Sequence, residues 1–148
     1  MLTVILACIF LVVSTTLFHH EVLSALNTVL PRIVIPNRSK LLVVIMVAFL
    51  AHLAEIALYG VSLYVLVTEL GAGTLAGTAD LSIPSCIYFS AETYSSIGFG
   101  DLTPIGPVRL LAGVEALNGL LLIGWSASFT YISMERFWNS GPAPKAKA

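Results

Sequence analysis

The chain carries little charge of either sign. Only 10% of its 148 residues are Asp, Glu, Lys or Arg, whereas soluble domains average roughly 25%. The formal net charge of −1 argues against a nucleic-acid partner, because phosphate binding needs a basic face. With 57% hydrophobic residues and a mean hydropathy of +0.95, the composition predicts one hydrophobic membrane unit rather than a soluble enzyme.

Cysteine and catalytic motifs are also scarce. Cys8 and Cys86 lie far apart in apolar stretches and fit no CxxC spacing, so we expect both to be small buried side chains. No HExxH motif is present, which excludes the usual zinc-protease ligands. No row of Arg runs along an apolar segment, so a conventional voltage sensor is missing. The sequence therefore predicts neither an enzyme nor a resident cofactor.

Three apolar runs approach or exceed the roughly 20 residues that a membrane span needs. The first begins at Met1 and ends at either Phe18 or Leu30, the second covers 41–68, and the third covers 108–134. The first run lacks both a basic start and an A-x-A cleavage site, which favours a membrane helix over a signal peptide. We expect an all-α membrane protein with three transmembrane helices.

Basic residues predict the orientation of these helices. Six of them lie between the first two spans or after the third, and one lies elsewhere: Arg32, Arg38, Lys40, Arg136, Lys145 and Lys147, with Arg109 apart. Because cytoplasmic loops carry an excess of Lys and Arg, the N-terminus is predicted outside and the C-terminus in the cytoplasm. We expect an integral membrane protein.

The segment between the second and third spans is more than a simple loop. Residues 69–82 are rich in Gly, Ala and Thr and predict a flexible turret. Ser82 as a cap and Pro84 in the first turn then predict a short apolar helix over 83–95. Such a helix cannot cross a bilayer. It can re-enter one if the returning backbone is buried in protein or lines water.

The residues after that short helix, 96–101, spell S-I-G-F-G-D. Glycines at 98 and 100 permit backbone angles that other residues avoid, so successive carbonyls can point the same way. A ring of such strands can replace the water around a dehydrated cation. The expected ion-binding filter comprises Ser96, Ile97, Gly98, Phe99 and Gly100, with K⁺ at the first four.

Residues 88–104, YFSAETYSSIGFGDLTP, resemble the pore helix, filter and exit of potassium channels. The span–pore–span plan resembles the small bacterial two-transmembrane pore family, with one extra N-terminal helix. The resemblance implies a homotetramer in lipid around a central axis, bound K⁺ ions and passive potassium conduction. Together with the shortness of the chain, it also implies a bacterial inner membrane. The implied map is an N-terminal helix and linker 1–40, a pore domain 41–138 (outer helix 41–68, turret 69–82, pore helix 83–95, filter 96–101, inner helix 107–135) and a tail 139–148.

Two aromatic positions depart from the family pattern. The family has Tyr where Phe99 stands, and its hydroxyl bonds to a Trp at the position of Phe89. Both polar atoms are missing here, so we expect Phe89 to pack on Phe99 instead. Strict potassium selectivity, weakly selective Na⁺/K⁺ conduction and a non-conducting channel-like subunit all stay open.

Carboxyl groups are expected to support the filter. The resemblance implies that Glu92 in the pore helix pairs with Asp101 after the filter. Because two carboxyls in contact tend to share a proton, we expect Glu92 to be protonated and to donate to Asp101. Glu115 in the third span is expected to support the pore helix from behind.

Ionisable residues also lie deep in the second span. His52 and Glu55 are three residues apart and share a helix face, and groups at that depth are functional candidates. If the first helix continues to Leu30, His19 and His20 reach the same depth. A proton sensor that includes His52 and Glu55 and plain structural hydrogen bonding both stay open.

The third span is expected to be the inner, pore-lining helix. Gly119 and Gly124 interrupt it and serve either as a hinge or for close helix packing. The residues expected to line the inner pore and gate share one helical face: Leu120, Ile123, Ala127 and Tyr131.

Overall fold

A computed structural model describes residues 1–77 and 80–138, except for the side chain of Trp138. Two turret residues, 78 and 79, and the predicted tail 139–148 lie outside this described part. The elements in chain order are α1 (Leu2–Val29), α2 (Asn37–Thr68), β1 (Thr74–Gly77), α3 (Ile83–Tyr94), β2 (Leu102–Ile105) and α4 (Val108–Trp138).

Three long helices have the length and hydropathy of membrane spans. They cover Leu2–Arg32, Asn37–Thr68 and Val108–Phe137, each longer than the roughly 20 residues that a bilayer requires. Large apolar side chains such as Leu6 and Phe10 are exposed along α1. An exposed apolar face of this size is typical of a helix that contacts lipid rather than water.

The first helix continues past Phe18, so the shorter of its two predicted ends is wrong. α1 runs unbroken to Val29, and one 3₁₀ turn, Leu30–Arg32, follows it. The helix stops where Pro31 enters the chain, because proline removes a backbone donor and clashes with the preceding turn. His19 therefore lies well inside the helix and reaches the interior of the bundle.

The second and third long helices differ from their predicted bounds at their ends. α2 begins at Asn37 rather than 41, directly after Pro36. Its first turn is polar and was therefore missed by a hydropathy pattern, although the Lys40 stem is buried and its ammonium lies 5.2 Å from the centre of the Phe137 ring. α4 runs from Val108 to Trp138 rather than over 107–135.

Helix α3 is wedged between α2 and α4. Its predicted cap is confirmed, since Ser82 Oγ accepts a hydrogen bond from Ser85 N at 3.3 Å. Two glycines on the flanking helices permit the close approach. A Cβ on Gly60 would lie 2.7 Å from Ile87 Cα, and a Cβ on Gly119 would lie 2.9 Å from the Tyr94 ring.

A small antiparallel sheet joins the segments before and after α3. Thr74 in β1 pairs with Ile105 in β2, and Gly77 pairs with Leu102. The predicted flexible turret is therefore partly regular. The sequence signal was missing because a four-residue strand of Thr, Leu, Ala and Gly shows no clear alternation, and its partner lies beyond the short helix.

The hydrophobic core draws on all four helices. It includes Leu11 of α1, Leu63 of α2, Phe89 of α3 and Leu111 of α4. The two cysteines are free and buried in this same core, as predicted.

Candidate functional site

The filter segment turns away from α3 directly after the helix ends. Residues 96–100 are all exposed on the single chain, including 60% of Ile97 and 69% of Phe99. Exposed backbone polar groups at membrane depth need hydrogen-bond partners, so a single chain leaves this segment incomplete.

Backbone angles in this segment alternate in sign. Ser96, Gly98 and Gly100 have φ values of +59°, +56° and +81°, whereas Ile97 and Phe99 are not in the positive region. Glycine adopts such angles at little cost, but Ser96 is the one non-glycine with positive φ in the described part of the chain. Strained residues of this kind cluster at functional sites.

Four successive amide groups point back at the end of α3. Ser96 N donates to Thr93 O at 2.9 Å, and Ile97 N and Gly98 N donate to Glu92 O at 2.9 and 3.2 Å. Phe99 N then donates to the Glu92 side-chain Oε2 at 2.9 Å. The N–H edge of the segment is thus satisfied by the helix that precedes it.

The carbonyl edge must therefore face the other way. The described peptide bonds are all trans, and in a trans peptide the N–H and the preceding C=O point to opposite sides. The carbonyls of residues 95–98 consequently project away from α3, on the exposed side of the segment. A row of aligned carbonyl oxygens can coordinate a dehydrated cation once further copies complete the ring.

The predicted hydrogen bond between Glu92 and Asp101 is wrong. Glu92 is buried and accepts from Phe99 N, while Asp101 Oδ2 accepts from the Tyr88 hydroxyl at 3.1 Å. Desolvation and this hydrogen bond raise the pKa of Tyr88, so the phenol stays a donor. The physical reason is competition, because the backbone N–H of Phe99 and the hydroxyl of Tyr88 take acceptor oxygens that the pairing of Glu92 with Asp101 would use.

The predicted packing of Phe89 on Phe99 is also wrong within one chain. Phe89 is 4% exposed and belongs to the core, whereas Phe99 is 69% exposed. No ring contact joins these two residues, both of which the structure describes. Phe89 thus packs in the core of the chain, while Phe99 is left uncovered.

Glu115 contacts α3 from behind. It is buried, and its Oε1 forms a short hydrogen bond with Ser90 Oγ. The same Ser90 hydroxyl bonds to Ile56 O at 3.0 Å. The Ser90 hydroxyl thus links Glu115 of α4 to the Ile56 carbonyl of α2. The other oxygen of Glu115, Oε2, has no hydrogen-bond partner among the described residues.

A buried polar cluster lies beside the C-terminal end of α3. It joins all four helices through five side chains, which we call the His–Glu cluster: His19 of α1, His52 and Glu55 of α2, Tyr94 of α3 and Ser126 of α4. His19 and Glu55 are 0% and 1% exposed. The neighbouring His20 is exposed and does not take part.

Glu55 accepts three hydrogen bonds in this cluster. His19 Nδ1 lies 2.9 Å from Oε1, and His52 Nδ1 lies 3.1 Å from Oε2. The Tyr94 hydroxyl donates to Oε2. On the far side, Nε2 of each imidazole lies 3.0 Å from Ser126 Oγ.

A second polar layer lies next to the first. Asn118 Nδ2 donates to Thr15 Oγ1 at 2.8 Å and to the Tyr59 hydroxyl at 3.2 Å. Thr15 and His19 are four residues apart, and both face the bundle from α1. The extra N-terminal helix is therefore bonded into the pore domain at two levels.

Residues predicted to line the inner pore are exposed on the single chain: Leu120, Ile123, Ala127 and Tyr131. Gly119 packs against Tyr94, which favours close packing over a hinge at that position. A Cβ on Gly124 would meet no atom within 4 Å. The hinge and gate roles of these residues stay predictions.

Comparison with known proteins defines the class. The chain matches the ion channel family over residues 51–136, more than half of its length, and it belongs to that family. It is a membrane protein with a potassium channel pore plan, and the family is one of channels rather than enzymes.

One named relative is the inward rectifier potassium channel Kirbac3.1 of Paramagnetospirillum magnetotacticum. The two are 39% identical over 56 residues, which cover 37% of this chain and 19% of the relative. The matched stretch thus spans about a fifth of that protein. No solved structure matches the chain significantly.

Proposed function

We propose that four copies of this chain surround a central axis and conduct potassium ions passively through rings of carbonyl oxygens from residues 96–99. The observation that carries this proposal is the orientation of the four amides that bond to the end of α3. With these N–H groups bonded inward, the carbonyls of residues 96–98 are left to face the axis, and the proposal extends the same direction to the carbonyl of Phe99.

Assembly is supported by what a single chain leaves uncovered. Ile97 and Phe99 of the filter are exposed, as is the Leu120 face of α4. Polar filter backbone in lipid is costly, and a closed cyclic tetramer removes that cost by turning the filter toward a water-filled axis. In this arrangement α4 is the inner helix and its predicted pore face lines the lower channel.

Helix α3 then re-enters the membrane without crossing it. Its 12 residues extend only about 18 Å, short of the roughly 30 Å hydrocarbon core. The returning filter backbone is buried in the tetramer or lines water, as irregular backbone at membrane depth requires.

Selectivity for potassium is supported by the bond from Phe99 N to Glu92. This bond braces the filter from behind, where the family pattern uses a Tyr hydroxyl and a Trp. The relative described above is an inward rectifier potassium channel, which supports the same ion. Weakly selective Na⁺/K⁺ conduction is the alternative outcome.

Orientation is supported by charge at one end of the bundle. Arg136 Nη1 donates to Asn27 Oδ1 at 3.1 Å, and Lys40 lies over Phe137. These contacts gather the basic ends of α1, α2 and α4 opposite the sheet, and we assign that end to the cytoplasm. Lys145 and Lys147 lie outside the described residues. The bacterial inner membrane and the proton-sensor role of His52 and Glu55 stay predictions.

Conduction is tested by potassium flux into liposomes that contain the purified protein. We expect potassium-driven uptake that barium blocks. Absence of flux over a broad pH range would favour a non-conducting subunit and contradict the proposal. Reversal potentials under bi-ionic K⁺/Na⁺ conditions then decide selectivity, since a potassium filter shifts them strongly and a weakly selective pore leaves them near zero.

A further inference from the structure

We propose that His19, His52 and Glu55 form a binding site for a divalent transition-metal ion, with Zn²⁺ as the best fit. One ligand atom from each of these residues lies within 4.8 Å of the others. Imidazole nitrogen and carboxylate oxygen are ordinary ligands of zinc. The sequence predicted no resident metal at this place, and His19 reaches it because α1 continues past Phe18.

Distances in the cluster suit a metal centre. Tetrahedral zinc with bonds of about 2.0–2.1 Å holds its ligand atoms roughly 3.3 Å apart. The two Nδ1 atoms already lie 2.9 and 3.1 Å from the Glu55 oxygens. The Tyr94 hydroxyl, 2.9 Å from His52 Nδ1, lies next to the fourth position, which a water can also fill.

The far nitrogens of both rings have the partner that a metal site needs. Metal-binding histidines usually donate their other N–H to an outer acceptor that fixes the ring. Ser126 Oγ lies 3.0 Å from Nε2 of both His19 and His52. One hydroxyl oxygen has two lone pairs, so Ser126 can accept from both rings at once.

The site is buried but not sealed. His19 and Glu55 are 0% and 1% exposed, while the His52 side chain is 16% exposed and offers a way in. A bound ion would cross-link α1 to α2 beside Tyr94, the last residue of α3. It would therefore hold the extra N-terminal helix against the pore domain.

The test uses the full chain without an affinity tag of histidines, purified in detergent and stripped of metal with a chelator. We expect it to take up one Zn²⁺ per chain, and Co²⁺ to give the visible absorption of a tetrahedral site. His19→Ala and Glu55→Gln should abolish this uptake. Ser126→Ala should weaken it by about 10–100-fold.

His20→Ala is the matched control, because His20 is the next residue but is exposed outside the cluster. It should bind Zn²⁺ like the parent protein. Added Zn²⁺ should raise the midpoint of thermal unfolding for the parent and for His20→Ala, and not for His19→Ala, because an ion that binds the folded state stabilises it.

Uptake that is equal in His19→Ala and the parent would overturn the proposal, as would a parent protein that binds no Zn²⁺. X-ray absorption on the zinc-loaded parent keeps the test independent of whether any variant folds. Two imidazole nitrogens in the zinc shell support the site, and a shell of oxygen alone contradicts it.

Discussion

The filter segment and the His–Glu cluster lie at the same end of α3, but the first is held by backbone hydrogen bonds and the second by side-chain hydrogen bonds. The filter uses the backbone of consecutive residues, with N–H groups bonded to the helix just before it. The cluster uses side chains from four helices, among them His19 and Ser126, which are 107 residues apart. The comparison shows that the shape of the filter segment depends on local backbone geometry, whereas attachment of the extra helix depends on tertiary packing.

Gly98→Ala tests the filter segment and should have the largest effect, a loss of potassium flux. Gly98 and Gly71 have φ values of +56° and +57°, and a Cβ on either would meet no atom within 4 Å. Both alanines therefore meet similar backbone strain, but only Gly98 lies in the filter. We expect potassium flux in liposomes to fall to background for Gly98→Ala and to stay near that of the parent for Gly71→Ala. Equal flux in both variants would contradict the assignment of the filter.

Glu55→Ala tests the His–Glu cluster and should destabilise the folded chain. It leaves His19, His52 and Tyr94 without their shared acceptor in a buried site. Removing one partner of a buried ionic network costs about 3–5 kcal/mol, so the midpoint of thermal unfolding in detergent should fall clearly. The exposed Glu21 of α1 gives the control, since Glu21→Ala should change stability by no more than about 0.5 kcal/mol.

Glu92→Ala should show how far the filter depends on one side chain. The variant loses the acceptor for Phe99 N, and leaving a buried donor without a partner costs about 1–3 kcal/mol. We expect potassium flux to decline faster with time after its onset. Glu92→Gln keeps an acceptor oxygen and should lie between Glu92→Ala and the parent. Unchanged time courses in both variants would remove Glu92 from filter support.

Gly119→Ala tests whether Gly119 serves close helix packing or a hinge. A Cβ there would lie 2.9 Å from the Tyr94 ring and clash with the Tyr94 carbonyl, and overpacking of this kind costs about 1–3 kcal/mol. Gly124→Ala meets open space and should instead stabilise the helix by about 1 kcal/mol. Thermal unfolding of both variants measures the difference, and equal effects would count against close packing at Gly119.

Local patterns predicted the features that depend on neighbouring residues. The three spans, the Ser82 cap and the alternation of glycines around Phe99 follow from hydropathy and backbone freedom. The partner of Glu92 was missed for the opposite reason. The predicted partner, Asp101, was chosen among side chains only, whereas the actual donor to Glu92 is the backbone N–H of Phe99.

The His–Glu cluster could be predicted only in part. His52 and Glu55 share a helix face, so their pairing follows from spacing. His19 depended on whether the first helix continued past Phe18. Tyr94 and Ser126 gave no sequence signal, because a Tyr and a Ser in apolar helices are common, and their convergence follows from how α3 and α4 pack.

The central claim is that the carbonyl oxygens of residues 96–99 coordinate potassium around a common axis. The most direct measurement is anomalous diffraction from crystals of the detergent-purified full chain grown with Tl⁺, a heavy substitute for K⁺. The account predicts four chains about one axis, with a column of Tl⁺ peaks between these carbonyls. Chains without a shared axis at the filter, or an axis with no Tl⁺ beside residues 96–99, would contradict it.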